Sequence, residues 1–323
     1  MIKLQRFLWP KTIIICFING ESIEAGFGYI EKDRVAIEIR RKFEGKKREE
    51  ELVEWYEYIL QTYPKTYVAT MLDSTNQGAI FGCSKQELQK FDIDSSLVHS
   101  LCIDNSWLVY VSLIEMKWFE KKYKSLTFDF IFSPFVMLYE KIKHNLSKQP
   151  ILAVLHHSGI VYVSVFSEDG LWFSKIVTVT LENALEEDVL EDIEDEDDGL
   201  AFDLDSLDAD IEPIGEVDTL DEFKEDTSSN ETDEKSEENE LELLEYDLKF
   251  FDTIKSSIEN FYHCDLYRHE FLDTIYIYDI NGRIGKEIER YIQDELYMSC
   301  TLQSFDPIET IGKLAYIELG STK

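Results

Sequence analysis

The sequence predicts an α/β protein made of two halves and an insertion. Residues 12–43 and 149–179 share one order of strand, turn, strand, turn and strand. After each of these stretches, amphipathic helical patterns alternate with apolar strand patterns, which is typical of α/β folds. A long acidic segment interrupts the second half. We expect folded halves at residues 1–148 and at 149–180 with 247–323, and a disordered insertion at 181–246.

The first half is predicted to open with three strands, Ile13–Ile18, Ser22–Ile30 and Arg34–Phe43. Asn19-Gly20 is a hairpin turn signal between the first two strands. The third strand alternates, which directs Val35, Ile37 and Ile39 inward.

Further elements of this half follow from helical periodicity, capping residues and apolar runs. Residues 73–82 are rich in turn residues and are expected to form a loop, and residues 117–124 are either helical or coil. The predicted elements are a helix at 46–63, a strand at 67–72, a short helix after Ser84, strands at 106–114 and 128–132, and a helix after Ser133-Pro134.

The second half is predicted to open with a sheet of three strands within QPILAVLHHSGIVYVSVFSEDGLWFSKIVTV. Residues 151–155 are continuously apolar, and Val161, Val163 and Val165 share one face of the next strand. Glu168-Asp169-Gly170 then supplies a tight turn. The later elements are a helix at 243–262, a strand at 274–280, a helix at 283–296, a strand at 298–305 and a helix at 308–318.

The net charge of −34 is concentrated in the insertion. Residues 182–245 contain 30 acidic and two basic residues, which leaves −6 for the rest of the chain. Low hydrophobicity and high like charge predict disorder, and the apolar residues among the acids suit a short motif that folds on a basic partner. Nucleic acid is not expected as a partner, because phosphate binding needs clustered Lys and Arg.

The five cysteines are widely spaced and form no CxxC pair. We therefore expect reduced thiols rather than a disulfide framework. No run approaches the roughly 18 apolar residues of a membrane span, and the first residues lack a secretion signal's apolar core. Membrane association is expected only through a partner.

Four segments in this order resemble the actin-like ATPase superfamily, within it most closely the type IV pilus protein PilM and the cytoplasmic domain of the type II secretion protein GspL. They are TIIICFINGESIEAGFGYI, FDFIFSPFVMLYEKI, ILAVLHHSGIVYVSVFSEDGLWFSKIV and DTIYIYDINGRIGKEIERYIQDEL. The resemblance implies two actin-like (ribonuclease H-like) halves with mixed sheets.

The nucleotide turns depart from the superfamily pattern. The first strand runs into Asn19-Gly20 without the usual Asp, and the comparable Asp and Gly of the second half are replaced by Leu155 and His156. Only Ser158-Gly159 remains of that turn. The late adenosine turn, at residues 279–282, keeps one glycine, Gly282.

These departures weaken a magnesium nucleotide site, because magnesium needs a carboxylate and phosphate needs closely approaching amides. Asp73 and Asp279 are the acids that could substitute. We expect weak or absent ATP binding, no hydrolysis and no other cofactor.

Two further groups of side chains have either a structural or a functional interpretation. His156 and His157 could ligate a metal with His263, Cys264 and His269, but adjacent histidines in a turn more often cap strands or face solvent. Five aromatic residues could form a partner groove or belong to the core; they are Trp107, Tyr110, Trp118, Phe119 and Tyr123. No Ser, His and Asp set shows the local context of a nucleophile elbow.

The resemblance implies a non-catalytic scaffold of a type IV pilus, type II secretion or DNA-uptake machine. Such a protein would lie in the cytoplasm, peripheral to the inner membrane, and bind an inner-membrane PilN-like subunit and the assembly ATPase. The alternatives are an active actin-like ATPase or sugar kinase that binds Mg-ATP between its halves, and a filament-forming actin homologue.

Overall fold

Thirteen strands form the framework of the computed structural model, which describes residues 12–18, 22–31, 34–63, 65–180, 231–268 and 270–321. The strands are β1 (Thr12–Ile18), β2 (Ser22–Glu31), β3 (Arg34–Glu44), β4 (Thr66–Met71), β5 (Gln77–Phe81), β6 (Val98–Ile103), β7 (Trp107–Ser112), β8 (Phe130–Phe132), β9 (Ile151–His157), β10 (Ile160–Ser167), β11 (Gly170–Thr178), β12 (Thr274–Asp279) and β13 (Ser299–Ser304). The helices are α1 (Arg48–Thr62), α2 (Lys85–Lys90), α3 (Leu113–Lys122), α4 (Pro134–Ile142), α5 (Glu231–His263), α6 (Glu287–Leu296) and α7 (Pro307–Ser321), with a 3-10 turn at Lys143–Asn145.

The two large sheets repeat one topology. The first has the order β3-β2-β1-β4-β8 and the second the order β11-β10-β9-β12-β13. In each, three antiparallel strands of a meander continue into parallel strands, as β1 pairs with β4 and β9 pairs with β12. Both sheets are therefore mixed, as the sequence predicted. The carboxyl ends of the parallel strands meet at one edge of each sheet, where ligands of open α/β sheets commonly bind.

Helices α4 and α7 pack between the two large sheets. Phe135, Leu138 and Ile142 of α4 are fully buried, and Ile308 and Ile311 of α7 join them in one core cluster with residues of both sheets. Because Pro134 at the first helical position needs no N–H partner, α4 starts directly after β8. Burying these apolar side chains from both sides holds the two sheets in one core.

The third sheet, of order β5-β7-β6, departs from the predicted elements. The region expected to be a loop, residues 73–82, contains β5, and β6 was not predicted. These strands pair on either side of β7, and the pairing brings Cys83 and Cys102 to a Cα–Cα distance of 5.2 Å. The two sulfur atoms form a disulfide, which corrects the expectation of reduced thiols for this pair.

Residues 1–179 and 243–323 make up one compact unit, and residues 180–242 make up a second. Of the predicted insertion, residues 181–230 lie outside the described residues. Helix α5 begins at Glu231 rather than at Leu243, because Glu, Lys and Leu, which dominate residues 231–246, are strong helix formers. None of the described helices combines the length and the apolar character that crossing a membrane requires.

Candidate functional site

Polar side chains gather where β9 and β12 end. The two strands are parallel, and their register places Asp279 directly beside His156. His156 and the next residue, His157, are both fully buried, and Asp279 is almost fully buried. Buried polar groups need partners, so the hydrogen bonds of these three side chains define the site.

His156 bonds at both ring nitrogens. Its Nδ1 lies 2.8 Å from Asp279 Oδ1, and its Nε2 lies 2.6 Å from the hydroxyl of Tyr246, which is on α5. Burial raises the pKa of Tyr246 to about 12, so its hydroxyl remains a donor. We therefore assign the Nδ1–H tautomer, in which Tyr246 donates to Nε2 and Nδ1 donates to the carboxylate.

Asp279 also accepts bonds from the turn that follows β12. The backbone N–H of Asn281 donates to Oδ1 at 3.1 Å, and the N–H of Ile284 donates to Oδ2 at 2.8 Å. Burial alone would raise the pKa of Asp279, but the hydrogen bond from His156 and the bonds from these two amides outweigh it and lower the pKa. Asp279 therefore stays ionised as the centre of this network.

A second carboxylate, Asp247, enters the same turn from α5. Its Oδ1 accepts the backbone N–H of Gly285 at 3.1 Å, and burial raises its pKa. A Cβ on Gly285 would overlap the Asp247 carboxylate, so this approach requires a glycine. The guanidinium of Arg283 lies 4.0 Å from the ring centroid of Tyr246 and covers the outer side of the contact.

His157 connects the two halves of the chain. Its Nδ1 lies 3.2 Å from Asp73 Oδ1, in the loop after β4, and its Nε2 lies 3.0 Å from the hydroxyl of Ser158. Tyr162 donates a longer bond, of 3.5 Å, to the same oxygen of Asp73. The side chains of Ser158, His157 and Asp73 are thus hydrogen-bonded in the order serine, histidine, aspartate, which is the order of a catalytic triad. This arrangement was not predicted from the sequence.

The structure brings together three of the five predicted nucleotide-turn residues. Ser158 and Gly159 both have positive φ angles, of 46° and 78°, and Gly282 has a φ of 67°. The N–H of Ser158 donates to Asn281 Oδ1 at 2.9 Å, so the turn after β9 contacts the turn after β12. Asn19 and Gly20, the other two residues, lie outside the described residues.

The amides of these turns bond to oxygens of the chain itself. Ser158, Asn281, Ile284 and Gly285 each donate a backbone N–H to a carboxylate or amide side chain. The bond of Ile284 is buried, those of Asn281 and Gly285 are partly buried and that of Ser158 is exposed. An anion at this edge of the sheet would have to displace them, and a buried acceptor that loses its donor costs free energy. The described residues of these turns therefore do not fit a magnesium nucleotide.

Metal ligation is not supported for the histidines. Among the residues the structure describes, no group of three or more His, Cys, Asp or Glu side chains is placed to hold a metal ion. His263 bonds to the carbonyl of Glu259 within its own helix at 2.7 Å. His156 and His157 end β9 and are fully buried, so neither faces solvent. His269 lies outside the described residues.

The five predicted partner-binding aromatics do not form a surface cluster. Trp107 is 0% exposed and packs against Tyr139 and Phe166, and Phe119 is buried beside Tyr123. These three of the five are core residues. Trp107 belongs to the core cluster between the large sheets, and Phe119 and Tyr123 form a smaller cluster with Leu72. The other two are half-buried Tyr110 and Trp118, which is 62% exposed.

Tyr123 nevertheless lines an open groove of about 450 Å³ between α1 and the end of α3. Leu52, Val53 and Leu126 contribute apolar walls, and charged residues of both signs surround them. The charged residues are Glu49, Glu50, Glu54, Lys122 and Lys124. The groove was not predicted, because its two sides come from elements separated by about sixty residues of unrelated sequence.

Comparison with solved structures supports the predicted fold. A chain of the "PilM-PilN type IV pilus biogenesis complex" superposes with a TM-score of 0.54 at 10% identity, over 95% of this chain and 96% of that chain. A protein from Bacteroides thetaiotaomicron with "actin-like ATPase fold and unknown function" gives 0.43 at 7% identity, over 95% of each chain. The cytoplasmic domain of EpsL from the type II secretion system of Vibrio cholerae gives 0.32 at 13% identity, over 52% of this chain and 71% of that chain. At 10% identity the first of these likenesses is one of fold alone, and it supports the fold predicted from the sequence.

Comparison with sequences gives a family but not an activity. No curated protein matches the chain significantly. The family model described as "Domain of unknown function (DUF8569)" matches residues 9–139. The model described as "Domain of unknown function (DUF8341)" matches residues 152–320, more than half of the chain, and this protein therefore belongs to that family.

Proposed function

We propose that this chain is a non-catalytic scaffold of a type IV pilus, type II secretion or DNA-uptake machine. The observation that carries the proposal is the occupation of the turns after β9 and β12 by the chain's own side chains. The side chains of Asp247, Asp279 and Asn281 accept hydrogen bonds from the backbone N–H groups that a phosphate group would need as donors. The fold shared with a chain of the PilM–PilN complex supports this class of machine.

The groove between α1 and α3 is the proposed peptide site. Its apolar walls and its rims of both signs suit a segment that carries apolar side chains and mixed charges. By analogy with the PilM–PilN complex, the peptide would come from an inner-membrane PilN-like subunit, and the scaffold would link that subunit to the assembly ATPase. On this proposal the chain couples the subunit to the ATPase by binding both, without a chemical reaction of its own.

The test is calorimetric titration of the full chain with the cytoplasmic tail peptide of a PilN-like protein from the same genome. Val53→Arg changes a half-buried groove residue, and we expect it to weaken binding by about tenfold or more. Tyr58→Arg is the matched control, because Tyr58 is on the same helix but 63% exposed and outside the groove. Absence of binding by the unaltered chain, or equal effects of both changes, would refute the proposal.

The alternative function is an ATPase or sugar kinase in which Mg-ATP closes the cleft. A nucleotide that binds the folded chain must raise its melting temperature by mass action. We expect no shift at millimolar Mg-ATP, measured by differential scanning fluorimetry with and without magnesium. A rise that grows with ATP concentration would establish the alternative.

The proposed location is the cytoplasmic side of the inner membrane, and the disulfide gives it a direct test. Cys102 is exposed, so reducing agents can reach the pair, and the cytosol keeps thiols reduced. The structure holds the pair in its oxidised form, and the proposed location requires its reduction in the cell. Thiol trapping in intact cells, read by gel shift, should therefore find Cys83 and Cys102 reduced, whereas protein purified in air should hold the bond. A disulfide in freshly trapped cells would contradict the cytoplasmic location.

A further inference from the structure

The outer edge of the first sheet concentrates positive charge in an acidic chain. Residues 40–48, RRKFEGKKR, contain six Lys and Arg residues and one Glu, although the whole chain has a net charge of −34. Residues 40–44 belong to β3, which is 11 residues long and is the edge strand of its sheet. Within the described part of the chain, no strand pairs with its outer side.

The charged side chains on β3 reach solvent. Those of Arg40 and Lys42 are 50% and 55% exposed, and Arg41 is exposed as well. Arg40 pairs with Asp306, and Lys42 pairs with Glu44 at 2.7 Å. Exposed pairs of this kind contribute little and exchange readily with another carboxylate. The cations are therefore accessible to an acidic ligand.

The basic surface continues past the end of the strand. Gly45, with a φ of 77°, turns the chain, and exposed Lys46 and Lys47 lead into Arg48 at the start of α1. Lys46 and Arg48 line an open depression of about 580 Å³ together with Glu49 and Glu50. Strand edge and depression thus form one continuous basic strip, from residue 40 to residue 48.

The backbone of β3 offers a second kind of contact. At a sheet edge, alternate residues direct their N–H and C=O groups outward, where an added strand can pair with them. Ile39 was expected to point inward, but it is 45% exposed beside the basic strip, where the register between β2 and β3 shifts. An extended ligand would therefore meet backbone donors and acceptors, an apolar side chain and a row of cations.

We propose that the edge of β3 from Ile39 to Glu44, with the turn to Arg48, docks an extended acidic peptide of a partner protein as an additional strand. Charge complementarity selects the occupant, and strand addition supplies the backbone bonds. The strip ends beside Glu49 and Glu50, which also line the groove between α1 and α3. The inference rests on the edge of β3, so it does not depend on the proposed function.

The test uses the full chain and a fluorescein-labelled synthetic octapeptide of alternating Asp and Val, followed by fluorescence anisotropy. We expect saturable binding that falls as salt rises. The double change Arg41→Glu with Lys42→Glu should weaken it by about tenfold or more. The matched control is Lys148→Glu with Lys286→Glu, which alters the same total charge at two exposed lysines elsewhere and should leave binding unchanged.

A second peptide separates strand addition from simple attraction between charges. The same octapeptide with N-methylated valines keeps its carboxylates but lacks backbone donors along one edge, and we expect it to bind about tenfold more weakly. Equal binding of the two peptides, equal effects of the two double variants, or no binding at all would overturn the proposal. So would preferential binding of anionic vesicles or an oligonucleotide with the same dependence on Arg41 and Lys42. If the Glu variant fails to fold by circular dichroism, Arg41→Gln with Lys42→Gln replaces it.

Discussion

The bond between Tyr246 and His156 gives the sharpest prediction about the buried network. Tyr246→Phe removes one hydroxyl, keeps the ring and leaves His156 Nε2, in a side chain with no exposure, without its 2.6 Å partner. An unsatisfied buried acceptor costs about 1–3 kcal/mol, and the lost hydroxyl leaves only a small void. We therefore expect the free energy of unfolding to fall by about 2 kcal/mol.

Urea denaturation followed by circular dichroism measures this loss. The control is Tyr58→Phe, in which the hydroxyl removed belongs to a residue that is 63% exposed, and it should stay within about 0.5 kcal/mol of the parent. The slope against urea should be the same in all three proteins, which shows that the denatured state is unchanged. If Tyr246→Phe costs no more than its control, the network does not stabilise the fold and the reasoning fails.

Three other predictions concern the same edge of the sheet. The pKa of Asp279 is lowered on folding, so the stability that it contributes is present above about pH 3.9 and is lost as the pH falls through its folded value. Asp279→Asn should therefore flatten the loss of stability below about pH 4 in urea titrations, and an unchanged slope would contradict this. Gly285→Ala should lower the free energy of unfolding by about 1–3 kcal/mol, because the added Cβ would overlap Asp247. Gly320→Ala, which has open space around its Cβ, should leave that free energy unchanged or raise it. Equal effects of the two changes in thermal melts would argue against the close approach of Asp247 to Gly285. Ser158 should not react with a fluorophosphonate probe, because its backbone N–H donates to the Asn281 side chain instead of stabilising an oxyanion. Labelling of the chain that Ser158→Ala abolishes would show that Ser158 is a nucleophile.

The order of elements could be predicted wherever a segment carries a strong local pattern. The continuous apolar run of β9 and the alternation in β10 were sufficient to predict both strands. The predicted bounds of α1, α6 and α7 lie within a few residues of the observed bounds. Strand β5, QGAIF, was missed because it follows a turn-rich stretch, and β6, VHSLCI, lacks alternation. Both strands form through pairing with β7, which is a tertiary effect.

The site was less predictable than the fold because its partners are distant in sequence. His156 is separated from Asp279 by 123 residues and from Tyr246 by 90. A histidine in a turn-like sequence gives no sign of such partners, so burial could not be predicted from HHSG alone. The disulfide was missed for a related reason, because Cys83 and Cys102 meet only once β6 pairs with β7.

One hydrogen bond beside this network joins the two halves of the chain. In a cleft that opens and closes with nucleotide, the ligand supplies the bonds between the halves. Here His157, at the end of β9, contacts Asp73 after β4, and His156 links β12 to α5 through Asp279 and Tyr246. Because these bonds lie within the protein, they persist without any ligand, and no binding event is needed to set the arrangement of the halves. The contact of His157 with Asp73 therefore joins the second half to the half that contains the groove between α1 and α3.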